Sequence, residues 1–165
     1  PDIMTLAKGV GGGLAVGVMC ATPRVGQYFN WQRYGMAVHA TTLGGNCLSM
    51  AVAARVMEVI RRDDLAQHAA RLGDETIERL RRFQERCPLI KQVRGKGLFV
   101  GVELDASAPG AWFKNANEVV ARCMERGVLI NAAQGTVLRL APALVIQSDQ
   151  LHQGLQVVEE VIQGP

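Results

Sequence analysis

From Leu65 to Phe83 a stripe of core-type positions runs Leu65, Ala69, Leu72, Thr76, Leu80, Phe83, in steps of four, three, four, four and three. Steps of this size keep side chains on one face of a 3.6-residue helix, so the segment predicts an amphipathic helix. Asp63 or Asp64 is suited to cap it, and Pro88 stops it. A second stripe, Leu151, Leu155, Val158 and Ile162, predicts a final helix capped by Ser148. Between them, Asn115 to Arg126 predicts a helix with Val119, Val120 and Cys123 inward and Gly127 at its end. Upstream, Ala51, Ala53, Ala54, Val56, Met57 and Ile60 predict a helix from Leu48. These residues favour helix or fit its buried side, and Arg61 and Arg62 complement the dipole at its end.

Elsewhere the period shortens. Val16 to Ala21, Ile90 to Val93 and Leu98 to Leu104 read as strands. So do Val128 to Ala132 and Thr136 to Leu140, around Gln134-Gly135. Residues 1 to about 47 are rich in glycine and read mostly as loop, with a short helix over Arg24 to Phe29 after Pro23 and an irregular stretch from Trp31 to Val38. Arg94 falls between two strands and reads as a structural turn residue. The order of elements places a boundary at 63/64. Residues 64–165 form an α+β unit of helices on one face of a small, mostly antiparallel sheet.

Composition narrows the class. The chain is 48% hydrophobic and 20% charged, too apolar for disorder, and no apolar run approaches the roughly 20 residues of a membrane helix. The net charge of +3 is dispersed; Arg79, Arg81 and Arg82 lie among Asp74, Glu75, Glu78 and Glu85, a solvated helix face rather than a nucleic-acid footprint. Cys20, Cys47, Cys87 and Cys123 form no Cys-x-x-Cys pair and have no His cluster beside them. Metal and disulfide roles are therefore not expected, and reduced thiols in a cytoplasmic protein are. No signal peptide is visible, and the start at Pro1-Asp2-Ile3-Met4 reads as the middle of a longer chain.

Two stretches carry chemistry. In Thr5-Leu6-Ala7-Lys8-Gly9-Val10-Gly11-Gly12-Gly13, a lysine with apolar flanks precedes a glycine-rich turn. A desolvated amine loses its proton more readily and becomes nucleophilic, and glycines let backbone approach a bulky ligand. A surface lysine before a flexible loop has the same local pattern. In His39-Ala40-Thr41-Thr42-Leu43-Gly44-Gly45-Asn46, hydroxyls and amides precede a helix start and suit a phosphate or carboxylate. An ordinary N-cap loop with Asn46 as cap is the plainer alternative.

Together, and in this order, Pro1 to Gly17, His39 to Asn46, Val93 to Leu104 and Gln134 to Leu144 resemble the motifs of class III aminotransferases, within them the acetylornithine and succinylornithine aminotransferase group. The resemblance implies the C-terminal part of a fold-type-I large domain dependent on pyridoxal phosphate (1–63), followed by the small α+β domain (64–165). Lys8 matches the lysine that forms the Schiff base with the cofactor and shuttles the proton. Thr42, with Thr41 beside it, matches the hydroxyl that binds the cofactor phosphate, usually that of the neighbouring subunit, which implies a homodimer with shared sites. Arg139 matches the arginine that meets a substrate carboxylate, a role suited to a planar guanidinium. The implied reaction moves an amino group from an N-acylornithine-like donor to the 2-oxo acid 2-oxoglutarate.

Ala15, Leu43, Cys47 and Pro142-Ala143-Leu144 depart from the family pattern, and the stretch around Trp31 to Met36 is longer than usual. The family's acid for the pyridine nitrogen and its ring-stacking aromatic precede the matched part, so these residues alone are expected to be inactive. Two alternatives stay open. One is another class III donor, of the 4-aminobutyrate, ornithine or diaminopelargonate type. The other is a non-catalytic remnant acting as an interaction module.

Overall fold

A computed structural model describes residues 1–164 and divides the chain into two compact units, Pro1–Asp63 and a second beginning at Asp64. In the first unit, β1 (Ile3–Ala7) and β2 (Gly17–Ala21) form an antiparallel hairpin, with Ile3 opposite Ala21 and Ala7 opposite Gly17. The expected strand is β2. β1 falls in a stretch read as loop, because its pairing depends on partners ten to eighteen residues away rather than on its own period.

A 3-10 turn over Lys8–Gly11 leaves β1. Gly12 follows with φ +56, and a Cβ there would lie 2.9 Å from Val56 Cγ2 and 3.0 Å from Val52 Cγ1. At this position glycine serves close packing on helix α3 (Cys47–Arg62), not the approach of a ligand. Short helices α1 (Pro23–Gly26) and α2 (Trp31–Tyr34) lie between. α2 replaces the irregular stretch expected there: Asn30 Oδ1 accepts from the amide of Gln32 at 2.9 Å, and Gly35 closes the turn in the left-handed region. Asn46 caps α3, its Oδ1 accepting from Ser49 N at 2.9 Å. The anticipated buried side of α3 is at most half-buried, and Met57 is exposed, since no layer within residues 1–63 covers it.

In the second unit, α4 (Leu65–Arg86) buries its whole predicted stripe, and Thr76 Oγ1 satisfies itself by donating to Leu72 O at 2.7 Å. Asp64 does not cap α4: it has φ 48 and makes no side-chain cap bond. The sheet is antiparallel throughout, in the order β3 (Ile90–Lys96), β4 (Phe99–Leu104), β6 (Val137–Leu140), β5 (Asn131–Ala133). β3 has a bulge between Ile90 and Gln92 and runs on to Lys96, so Arg94 is a ladder residue opposite Gly101 rather than a turn residue. Gln134 (φ 53) and Gly135 (φ 74) make the β5–β6 turn; two positive φ values match the twist of a tight hairpin.

Helices α4, α5 (Ala116–Glu125) and α6 (Ser148–Gln163) supply one side of the core, which includes Leu72, Leu80, Phe83, Val119, Cys123, Leu155 and Ile162. Alternate strand residues Val100, Val102, Leu138 and Leu140 supply the other. The cap of α6 is Gln147, in a reciprocal box with Gln150, one residue earlier than the expected Ser148. Arg79 leaves the solvated face predicted for it and forks onto Glu159, Nε to Oε1 at 2.7 Å and Nη2 to Oε2 at 2.8 Å.

Cys20 and Cys47 are exposed, whereas Cys87 and Cys123 are buried; burial pushes the Cys123 thiol up to about 11. Among the described residues no helix is long and apolar enough to cross a membrane, and no three His, Cys, Asp or Glu side chains cluster as for a metal ion.

Candidate active site

The end of β1 delivers Lys8 into backbone that few side chains tolerate. Its φ is 58, a left-handed conformation that costs roughly 1–2 kcal/mol for a residue with a Cβ. Strain of this kind persists where the surroundings over-determine it, and it clusters at binding and catalytic positions. Lys8 lines a cavity of about 1170 Å³ with Thr5, Leu6 and Val16 from the hairpin, and with His39, Thr41, Gly44, Gly45 and Asn46 from the loop before α3. One amine, one imidazole and two threonines thus share a space walled largely by aliphatic side chains.

The loop that carries Thr41 is built tightly. Gly44 N donates to Thr41 O at 3.1 Å, and a Cβ on Gly44 would come within 3.2 Å of Thr41 Oγ1. Gly45 follows at φ +70, where glycine carries no steric penalty. Asn46 is fully engaged as the cap, its Nδ2 donating to Leu43 O at 3.0 Å.

Thr41 and Lys8 therefore share one cavity. Thr42 is exposed and is not part of that lining. Lys8 itself is exposed: Ala7 and Gly9 beside it are exposed too, and Leu6 and Val10 are only half-buried, so these residues alone do not provide the desolvation expected of it. His39 and Phe29 join the lining without having been singled out as site residues; His39 opened the threonine loop in the sequence, and Phe29 carried no signal there.

Arg139 belongs to the second unit. It stands on β6 opposite Gly101 of β4 on one side and Asn131 of β5 on the other. Its Nε donates to Asn131 Oδ1 at 2.8 Å, which fixes the plane of the guanidinium. Its two terminal nitrogens have no protein partner among the described residues, so the fork that suits a carboxylate is available. It lines a shallow depression with Arg94, Gly95, Phe99, Gly101, Ala133 and Val137.

The family model described as Aminotransferase class-III matches residues 1–162. The acetylornithine aminotransferase of Methanothermobacter thermautotrophicus is 35% identical over 162 residues, which cover 98% of this chain and 38% of that protein. The leucine/methionine racemase of Thermococcus litoralis is 37% identical over 164 residues, 98% of this chain and 36% of that protein. The crystal structure of acetylornithine aminotransferase from Elizabethkingia anophelis matches with a TM-score of 0.81 at 30% identity, covering 98% of this chain and 39% of that one. The chain thus spans well under half the length of the curated relatives it matches. Its mixed α/β architecture is that of the corresponding part of the solved enzyme.

Proposed function

Because the chain belongs to the class III aminotransferases, a family of pyridoxal-phosphate-dependent enzymes, we propose that it supplies the lysine and the carboxylate-binding arginine of an aminotransferase. The proposed substrates are an N-acylornithine-like donor and 2-oxoglutarate, the protein acting as a homodimer. Residues 1–63 are then the end of the large domain, and the unit from Asp64 the small domain.

The observation that carries this reading is the strained Lys8 in one cavity with the Thr41 loop. The donor set fits the cofactor in kind. An amine suits its aldehyde, threonine hydroxyls and backbone amides before a helix suit its phosphate, and the aliphatic walls suit its ring. Lys8 Nζ would hold the cofactor covalently and, once released, carry the proton between the two carbons that exchange the amino group. Thr41 and Thr42 would bind phosphate, Thr42 toward the neighbouring subunit, in keeping with its exposure and its place outside the cavity. The bound cofactor would supply the aldehyde carbon that takes up and returns the amino group, and an electron-withdrawing ring that stabilises the negative charge developed during the exchange. Arg139 would hold a substrate carboxylate with its terminal nitrogens. Cover from outside residues 1–164 would shield the amine from water.

Lys8→Ala in the full-length protein carrying this sequence is expected to abolish the visible absorbance of the lysine-bound cofactor and the borohydride-fixed adduct. Turnover should drop by more than about a thousandfold. A surviving yellow adduct sinks the assignment of Lys8. A second reaction deserves the same assay: the racemase relative is at least as similar over these residues, and proton movement by a lysine serves racemisation as well as transfer. Loss of chirality from a single amino acid without a 2-oxo acid would favour it.

A further inference from the structure

Among the charged side chains on the face of the four-stranded sheet turned away from the helices are Arg94, Glu103 and Arg139, whose arrangement the role of Arg139 alone does not explain. Successive side chains on a strand point to opposite faces. On β4, Val100, Val102 and Leu104 enter the core, which leaves Phe99, Gly101 and Glu103 on the other face. The register sets Arg94 of β3 and Arg139 of β6 on either side of Gly101, in one cross-strand row. Glu103 lies two residues along β4, opposite Gln92 on one side and Val137 on the other. It is therefore diagonal to both arginines. Diagonal partners sit roughly 7–8 Å apart at the backbone, within reach of long side chains.

Glu103 thus has two arginines at comparable register positions, and it pairs with one. Arg94 Nη1 donates to its Oε2 at 2.7 Å, and Lys91 Nζ stands 3.8 Å from its Oε1. Gln92 Oε1 accepts from the same Arg94 nitrogen at 2.8 Å and steadies that rotamer. Val137 and the stem of Arg94 flank the gap over Gly101, where a Cβ would meet Val137 Cγ1 at 3.3 Å and Arg94 Cγ at 3.9 Å. Among the described residues, Arg139 keeps its terminal nitrogens uncommitted. The Glu103 side chain is 25% exposed, which leaves its attraction for a guanidinium only partly screened by water.

We infer that Arg94 is a positioning residue for Arg139: by holding Glu103 toward β3, it prevents that carboxylate from neutralising the fork that would bind a substrate carboxylate. The inference rests on the carboxylate-binding role proposed for Arg139. Without the Arg94 guanidinium, Glu103 swings across to Arg139 and competes with the substrate, an internal anion against an external one.

The test uses the full-length protein and measures KM for 2-oxoglutarate and kcat in five variants. Arg94→Met keeps the apolar stem and removes the charge; KM should rise roughly three- to tenfold, the cost of displacing a partly exposed ion pair, with little change in kcat. Adding Glu103→Gln to Arg94→Met should return KM to the parent value, whereas Glu103→Gln alone does not raise it. Arg94→Lys keeps a cation near Glu103 and should move KM less than Arg94→Met, which guards against a loss due only to misfolding. An unchanged KM in Arg94→Met, or no rescue by Glu103→Gln, overturns the inference. Arg139→Gln separates the two claims: if it leaves KM unmoved, the role of Arg139 falls, whereas a raised KM there with no rescue in the double variant removes only the role of Arg94.

Discussion

Phe83 and Trp31 are both large aromatic residues on helices, yet Phe83 is 2% exposed and Trp31 66%. The contrast extends to the units that hold them. Every residue of the buried apolar cluster comes from beyond Asp64. Within residues 1–63 only Gly11 and Ser49 are buried, while Ile3, Met4, Met36, Leu43 and Leu48 stand in the open. Burying a large apolar side chain is worth about 1.5–3 kcal/mol, so the second unit gathers its stabilisation internally and the first does not. The proposed cofactor elements, Lys8 and the Thr41 loop, lie in the uncovered unit, whereas Arg139 projects from a closed one. A scaffold that encloses its own core can offer a binding side chain on a rigid strand. The cofactor elements need further surface around them before they are held with comparable rigidity.

Dividing the chain would break this comparison most directly. Residues 64–165 are expected to unfold in one cooperative urea transition followed by circular dichroism, and residues 1–63 to show none; a cooperative transition in the shorter piece would refute the contrast. Next in size, Phe83→Ala should destabilise the second unit by about 3–5 kcal/mol. The matching change at an open position, Leu43→Ser, should stay within about 0.5 kcal/mol. Chemical denaturation of both variants tests the pair, and equal losses would mean that Leu43 is covered in solution. Smaller still is Gly73→Ala. In an exposed helix this exchange stabilises, but here the new methyl would sit 2.2 Å from Gly97 O, which is backbone and cannot step aside. A loss of about 1–3 kcal/mol is expected, and a gain in the melting temperature would show that α4 and the β3–β4 turn are not in contact.

The same contrast governs what could be read from the residues alone. The stripes of α4 and α6 were legible because a helix writes its buried face into local spacing. β1 was not, because a short hairpin strand is defined by its partner. Ser148 and Gln147 compete for one capping position, and pattern alone cannot separate neighbours when either side chain can accept the bond. Gly73 carries no signal in local spacing; its purpose lies in a contact with a turn 24 positions later. For the site, Lys8 and Thr41 stood out as motifs, and their shared cavity follows from the hairpin and the capped helix packing together. The exposure of Lys8 was not legible, because apolar neighbours in sequence do not guarantee cover in space. The relation among Arg94, Glu103 and Arg139 depends on strand register, which spans 45 residues of chain and is invisible to any local window.

The bulge between Ile90 and Gln92 has one more effect. β3 is an outer strand, and an outer strand displays unpaired amides and carbonyls to any other sheet that drifts alongside. An extra residue puts the two sides out of step, and Lys91, Arg94 and Lys96, against the one carboxylate of Glu103, leave the border with an excess of positive charge. A second copy approaching this flank meets electrostatic repulsion and mismatched hydrogen-bonding groups, so the sheet resists growing into a fibre from that side.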